Sequence, residues 1–81
     1  MAKVAVLFKI YAEEGKESEV SKLIHEQLKP TAMQMEEIGY GIKIIKAMFV
    51  YEDEQGSSRI EESIRKVSGV REVEVAEESL V

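Results

Sequence analysis

The sequence predicts an α+β fold with the element order β-α-β-β-α-β, and three observations support this prediction. Two runs, near residues 3–11 and 42–52, are rich in β-branched and aromatic side chains, as buried strands are. Two other segments repeat apolar residues at helical spacing. Gly and Pro residues separate the segments, so turns are expected between them. A chain of 81 residues has room for one domain, which we expect to span residues 1–81.

The first half of the chain predicts a strand, a helix and a second strand. Lys3 to Tyr11 (KVAVLFKIY) is apolar on both faces, which is typical of a central strand, and a turn centred on Gly15 follows. The helix is predicted over Glu17 to Lys29 and ends there because Pro30 has no backbone N–H to donate. Its apolar stripe consists of Val20, Leu23, Ile24 and Leu28. Thr31 to Ile38 partly alternates and predicts a shorter, more polar strand.

The second half predicts a strand, a helix and an edge strand. Ile42 to Glu52 (IKIIKAMFVYE) is a strongly apolar strand, and Asp53 to Ser57 is expected to be a loop. Ser58 and Glu61 have the spacing of a capping box at the start of the second helix, and Gly69 suits its end. The apolar stripe of this helix consists of Ile60, Ile64 and Val67, and the expected ion pairs are Glu61–Arg65 and Glu62–Lys66.

The last strand is predicted over Val70 to Ala76, where apolar and charged residues alternate. Val73 and Val75 should face inward, while Glu72 and Glu74 face outward. Outward charge suits an edge strand because it discourages pairing with another sheet.

This element order matches the ferredoxin-like sandwich, a four-stranded antiparallel sheet with two helices on one face. The first and third strands are then central, which agrees with their apolar composition. The helices cover one face only, so the other face carries apolar side chains without a cover. That surface indicates a partner protein or self-association through the open face; the alternative is a partly exposed sheet with no binding role.

Composition excludes several classes of protein. The net charge of −5 disfavours direct binding to nucleic acid, because clustered Lys and Arg residues are needed to hold a phosphate backbone. The sequence contains no cysteine, so disulfides and thiolate metal sites are excluded. The apolar run at residues 4–8 is too short to span a membrane and lacks the features of a signal peptide. We therefore expect a soluble, cytoplasmic protein.

No set of residues with the spacing of a catalytic, metal or cofactor site is found. The single histidine, His25, lies near the polar edge of the first helix and has no candidate nucleophile beside it. Four acidic pairs are interpreted as solvated surface: Glu13-Glu14, Glu36-Glu37, Glu61-Glu62 and Glu77-Glu78. The run Glu52, Asp53 and Glu54 lacks the spacing and the glycine of a calcium loop.

The segment Gly39-Tyr40-Gly41 lacks the residues of a phosphate-binding loop, and a strand follows it instead of a helix. Two interpretations stay open. The glycines supply unusual backbone angles for a bend between strands. Alternatively, the bend presents Tyr40 outward as an anchor for a pocket in a partner protein.

The segment from Ile38 to Asp53 (IGYGIKIIKAMFVYED) resembles the exchange domain of the elongation factor 1-beta family. Ile38, Gly39, Tyr40, Gly41, Ile42 and Lys43 match its aliphatic-small-aromatic-glycine-aliphatic-lysine pattern, with Glu37 in place of the usual preceding proline. The helix and the terminal segment VREVEVAEESLV match the end of the family's domain. The length resembles the archaeal form, in which the exchange domain stands alone without the additional N-terminal regions of the eukaryotic form.

This resemblance implies a function in translation. Family members promote release of GDP from elongation factor 1-alpha, the GTPase that delivers aminoacyl-tRNA, and need no cofactor. The implied partner-binding residues are Tyr40, Gly39, Gly41, Lys43, Leu80 and Val81. In eukaryotic members a lysine near the C-terminus disturbs the Mg²⁺ region; Leu80 falls at that position, so the role of the lysine is not carried over.

Two alternatives rest on the same scaffold, which hosts many functions. A regulatory or protein-interaction module that binds a small molecule would need polar ligand-binding groups in a cleft. An RNA-binding sheet would need paired aromatics on the open face, for which the candidates are Phe8, Tyr11, Phe49 and Tyr51.

Overall fold

The computed structural model describes residues 3–52 and 55–80 and contains six elements in the predicted order. The strands are β1 (Val4–Ala12), β2 (Ala32–Gly39), β3 (Ile42–Tyr51) and β4 (Val70–Leu80). The helices are α1 (Glu17–Leu28) and α2 (Gln55–Arg65). The predicted α+β class and element order are therefore confirmed.

The strands form one antiparallel sheet in the order β2-β3-β1-β4. The two most apolar strands, β1 and β3, are central, and β2 and β4 form the edges. This is the ferredoxin-like arrangement that the sequence predicts. The strand order follows from burial, because more of the surface of a central strand than of an edge strand is removed from contact with water.

The core lies between the sheet and the two helices. Alternate residues of β1 are buried, and Phe8 packs edge-to-face on Phe49 of β3 with ring centroids 5.8 Å apart. Val20 and Ile24 of α1 and Ile64 of α2 are fully buried against this layer. Each such side chain contributes about 1.5–3 kcal/mol of transfer free energy. The helix-covered face is therefore the one that the sequence pattern assigns to Val4, Val6, Phe8 and Ile10.

Helix α1 ends where the proline predicts. Leu28 is its last residue, and Lys29 adopts the left-handed conformation with φ +48°. A residue before proline is disfavoured in the helical region, so Lys29 leaves the helix and Pro30 leads into β2.

Helix α2 begins earlier than predicted, and the capping box is wrong. The helix includes Gln55, so Ser58 lies inside it, and a residue with helical backbone angles cannot act as the N-cap. The loop predicted over Asp53 to Ser57 is also wrong for its last three residues, while its first two lie outside the described residues. The helix therefore extends over Gly56 despite the weak propensity of glycine for helix. Of the two predicted ion pairs, Arg65 pairs with Glu61 at 3.3 Å.

The other predicted pair, Glu62 with Lys66, is absent within the described part of the chain. Lys66 follows the last residue of α2 and lies in a turn. Its backbone N–H still donates to the carbonyl oxygen of Glu62 at 3.2 Å, so the helical spacing is kept, but both side chains are exposed and an ion pair between exposed groups gains little free energy.

Gly69 serves the turn after α2 and not the helix end itself. It lies four residues beyond Arg65 and has φ +92°. A Cβ atom there would lie 2.8 Å from Cγ2 of Val20. The turn therefore needs glycine both for its backbone angle and for the close approach of α1.

Strand β4 is longer than predicted, running to Leu80 and not ending at Ala76. It pairs with β1 throughout, with register shifts opposite Leu7/Phe8 and Tyr11/Ala12. Val73 is buried as predicted, but Val75 is 41% exposed although it is paired with the buried Phe8. Val75 lies on the edge strand, where fewer neighbours cover it.

The open face of the sheet is less apolar than the pattern suggests. Leu7 and Met48, which pair at its centre, are half-buried, and Ile44 is buried. In the next row Lys9 lies opposite Lys46, which forms an ion pair with Glu36. The hydrogen bond and charge of Lys46 lower the pKa of Glu36. Self-association through this face stays a prediction.

Candidate functional site

The β2–β3 hairpin closes on a two-residue turn, Tyr40-Gly41, between the paired residues Gly39 and Ile42. Tyr40 has φ +55° and Gly41 has φ +76°. Positive φ at both central residues is the requirement of a type I′ turn, which matches the twist of the strands it joins. The predicted bend is confirmed, and this turn, which we call the Tyr40 turn, forms the tip of the hairpin.

Tyr40 is fully exposed at this turn, as the second interpretation of the motif predicts. Asn, Asp and Gly favour this position, and a bulky residue with positive φ costs about 1 kcal/mol. Because the ring is not buried, it does not offset this free-energy cost. Folding by itself therefore favours another residue, and stability does not explain the tyrosine at this position.

Two isoleucines flank the turn and extend its apolar surface. Ile38 is 51% exposed and Ile42 is 52% exposed. Ile38 lies at a register shift between Glu37 and Gly39, and such bulges change the direction of a side chain. The hairpin end thus carries three large exposed apolar side chains, a concentration that is typical of interaction sites.

Lys43 lies one residue beyond this group, exposed and opposite Glu37 in the sheet. No ion pair engages its ammonium group within residues 3–52 and 55–80. Lys43 therefore adds a positive charge beside the Tyr40 turn.

Leu80 lies at the other end of the molecule. It pairs with Val4, which in turn pairs with Tyr51, the last residue of β3. Leu80 is 72% exposed, and Val81 lies outside the described residues. The predicted site residues that the structure describes therefore form two groups and not one.

The separation of the two groups follows from the length of β3. A strand of 10 residues spans about 33 Å, and the longest dimension of the molecule is 41 Å. The Tyr40 turn and Leu80 cannot contact the same small ligand. Only a macromolecule can touch both.

A cleft of about 570 Å³ lies beside the hairpin, which the sequence did not indicate. One side is formed by Tyr40, Gly41 and Lys43, and the cleft also contains Tyr11 and Arg71. Three acidic side chains line it as well: Glu14, Glu17 and Glu72. These residues come from β1, α1, the hairpin and β4, so only tertiary structure brings them together.

The aromatic residues do not form an RNA-binding platform. Phe8 and Phe49 are buried beneath the helices, and Tyr51 lies on the same side of the sheet because it pairs with Val4. Only Tyr11 of the four candidates lies on the open face. The RNA-binding alternative therefore lacks the paired rings that it requires.

Tyr51 has an unusual environment that the sequence did not reveal. Its ring packs against the core, and its hydroxyl oxygen is buried without a hydrogen-bond partner among the described residues. Burial and the charge of Glu78 raise the pKa of Tyr51 to about 12. The hydroxyl therefore stays protonated at physiological pH.

The remaining titratable residues offer no site with evident chemistry. His25 is exposed on α1. Of the acidic pairs, Glu13 pairs with Lys16 at 3.4 Å, while Glu36 and Glu61 pair as described above. Over the part of the chain that the structure describes, no three His, Cys, Asp or Glu side chains are placed to hold a metal ion. Asp53 and Glu54, predicted not to form a calcium loop, lie outside that part.

None of the helices described is both long and apolar enough to cross a membrane.

Comparison with known proteins gives one informative match. The model of the EF-1 guanine nucleotide exchange domain family matches residues 8–81, which is all but the first seven residues. The match includes the Tyr40 turn, the cleft beside it and the last strand. A search of curated proteins finds no match.

Proposed function

Because the chain belongs to the EF-1 guanine nucleotide exchange domain family, we propose that it binds its GTPase through the Tyr40 turn. The family is one of translation elongation factors that promote guanine-nucleotide exchange, and the GTPase it implies is elongation factor 1-alpha. The residues that make the contact are our proposal.

The observation that carries the proposal is the exposure of Tyr40 in a strained turn. An aromatic ring flanked by exposed Ile38 and Ile42 has the composition of a binding hot spot. A rigid hairpin presents the ring with little loss of conformational entropy on binding. Gly39 and Gly41 set the backbone of the turn, with φ +114° and +76°, and Lys43 adds a charge at the rim.

Exchange requires no catalytic group on this chain. A factor that binds the empty GTPase more tightly than the loaded one weakens nucleotide binding by the same ratio, because the two equilibria are linked. A hundredfold ratio corresponds to about 2.7 kcal/mol of coupling free energy. We therefore propose a factor with no active site and no cofactor of its own.

We propose that the GTPase contacts the Tyr40 turn and Leu80 at the same time. An interface that includes the Tyr40 turn and Leu80 extends over most of the 41 Å length. Contacts that far apart can hold two regions of a GTPase in a fixed relation, and this is one way to deform a nucleotide site. Leu80 can offer only an apolar contact there, and we propose the same role for Val81, which lies outside the described residues.

We further propose that the chain is a single domain of the archaeal type and works in the cytoplasm, where elongation takes place. Self-association through the open face is not needed for this function. The proposed function also requires no direct binding to nucleic acid or to a membrane.

The test is release of labelled GDP from the cognate elongation factor 1-alpha. Wild-type protein should accelerate release, and Tyr40→Ala should slow the accelerated rate by about tenfold or more, because hot-spot aromatics contribute about 2 kcal/mol or more. Tyr40→Phe is the matched control, since it keeps the ring and should keep most of the activity. Equal rates for Tyr40→Ala and wild type would remove the turn from the interface.

A further inference from the structure

We propose that the cleft beside the Tyr40 turn receives an acidic side chain of the GTPase, and that Arg71 is the residue that selects it. This inference rests on the proposed function, because it takes the Tyr40 turn to be part of the interface. Tyr40, Gly41 and Lys43 line the cleft, so a partner seated on the turn also covers the cleft.

The sheet register gives Arg71 a special position. Tyr11 pairs with Glu72 and Ala12 pairs with Val70, so Arg71 is the additional residue of a β-bulge. A bulged residue has no partner on the neighbouring strand, and the local bend gives its side chain a different direction. Here that residue is an exposed arginine that lines the cleft.

The charge of Arg71 is not neutralised within the described residues. Glu14, Glu17 and Glu72 line the same cleft, yet none lies within ion-pairing distance of the guanidinium group. Lys43 is unpaired over the same described ranges. The cleft therefore holds two cations whose charges are available to a bound partner.

The chemistry of the cleft favours a single carboxylate. A guanidinium group binds a carboxylate through two parallel hydrogen bonds, which gives geometric selectivity as well as affinity. A phosphate group would bring more negative charge close to three glutamates and would be repelled. A lone Asp or Glu side chain brings a single charge to Arg71 and Lys43, so the three glutamates repel it less than they repel a phosphate.

The experiment compares four variants of the full chain for affinity to nucleotide-free GTPase and for GDP release. We expect Arg71→Glu to weaken binding about tenfold and Arg71→Gln to weaken it about fivefold, while Arg71→Lys, which keeps the charge, should fall between Arg71→Gln and wild type. Arg59→Glu, which reverses an exposed charge on α2 outside the cleft, should stay within about twofold of wild type.

Salt dependence separates recognition from a structural role. Raising the salt concentration should weaken wild-type binding more than it weakens Arg71→Gln binding, because the neutral variant has lost a charge pair. Thermal unfolding should give similar midpoints for Arg71→Gln and wild type. Loss of binding with an unchanged salt dependence would overturn the inference.

The outcomes also distinguish this inference from the proposed function. If Tyr40→Ala loses activity while Arg71→Glu and Arg71→Gln do not, Arg71 is a solvated surface residue and the inference is wrong. If wild-type protein neither binds the empty GTPase nor accelerates GDP release, the proposed function itself fails.

Discussion

Tyr40 and Tyr51 lie at the two ends of β3, and the same side chain has opposite surroundings there. Tyr40 precedes the strand in a tight turn, with φ +55° and a fully exposed ring. Tyr51 ends the strand with ordinary strand geometry, and its ring packs against the core while its hydroxyl is buried without a partner among the described residues.

The two environments show which part of each tyrosine side chain contributes to stability. At Tyr51 the ring adds apolar burial, and the hydroxyl reduces the benefit because an unpaired buried polar group is unfavourable. At Tyr40 neither ring nor hydroxyl is buried, and the backbone is strained. Stability thus accounts for the ring of Tyr51 but not for that of Tyr40.

The largest expected effect is at the turn. Tyr40→Asn should slow GDP exchange by about tenfold or more, because the ring is lost. The same change should raise the free energy of unfolding by about 0.5–1 kcal/mol, since Asn tolerates the left-handed conformation better than Tyr. Chemical denaturation measures the stability and labelled GDP release measures the activity. If the free energy of unfolding and the exchange rate both fall, the ring of Tyr40 supports the fold, and the contrast with Tyr51 is wrong.

Next in size is the effect of the buried hydroxyl. Tyr51→Phe should leave stability unchanged or raise it by about 1 kcal/mol, because it removes a polar group that has no partner. For a domain of this size, 1 kcal/mol corresponds to about 4–8 °C in the midpoint of thermal unfolding. Tyr40→Phe is the control and should change the midpoint little, because its hydroxyl lies in water. A clear loss of stability in Tyr51→Phe would mean that the hydroxyl has a hydrogen-bond partner in solution.

A smaller effect is expected at the other end of the sheet. Leu80→Ser should slow exchange about threefold, since an exposed aliphatic contact at the end of an interface is worth less than a central aromatic one. Stability should change by less than about 0.5 kcal/mol, because Leu80 is 72% exposed. An unchanged exchange rate would limit the interface to the hairpin end.

The last effect is absent at neutral pH and appears only at alkaline pH. The pKa of Tyr51 is raised to about 12, so the unfolded chain, with an ordinary tyrosine pKa of 10.0, loses that proton first. The corresponding stability is fully present below pH 10 and is lost as the pH rises towards 12. The midpoint of thermal unfolding should therefore fall more steeply over this range in wild type than in Tyr51→Phe. Parallel curves would show that Tyr51 ionises normally in the folded state.

The Tyr40 turn was predictable from the sequence, and the cleft beside it was not. Glycines on both sides of an aromatic residue, between two strands, indicate a tight turn, and an outward ring was one of the two interpretations that the sequence left open. Arg71 is an ordinary residue in the sequence of an alternating strand. Its importance depends on a one-residue bulge opposite Tyr11 and Ala12, which no local pattern marks.

The ends of the helices and strands were also predictable only where a local signal sets them. Pro30 is a local signal and fixed the end of α1 to within one residue. The start of α2 and the full length of β4 depend on packing and on pairing with β1, so the local signals at Ser58 and Ala76 were misleading.

The sequence by itself determined the order of the elements, the central place of β1 and β3, and the tight turn at Gly39-Tyr40-Gly41. These features depend on periodicity, chain stiffness and backbone freedom, which are properties of neighbouring residues. Only the tertiary structure decided that Leu80 lies far from the Tyr40 turn, that Tyr51 buries its hydroxyl, and that Arg71 and Lys43 share a cleft. Those relations arise from strand register and packing between residues distant in the chain, so no local pattern contains them.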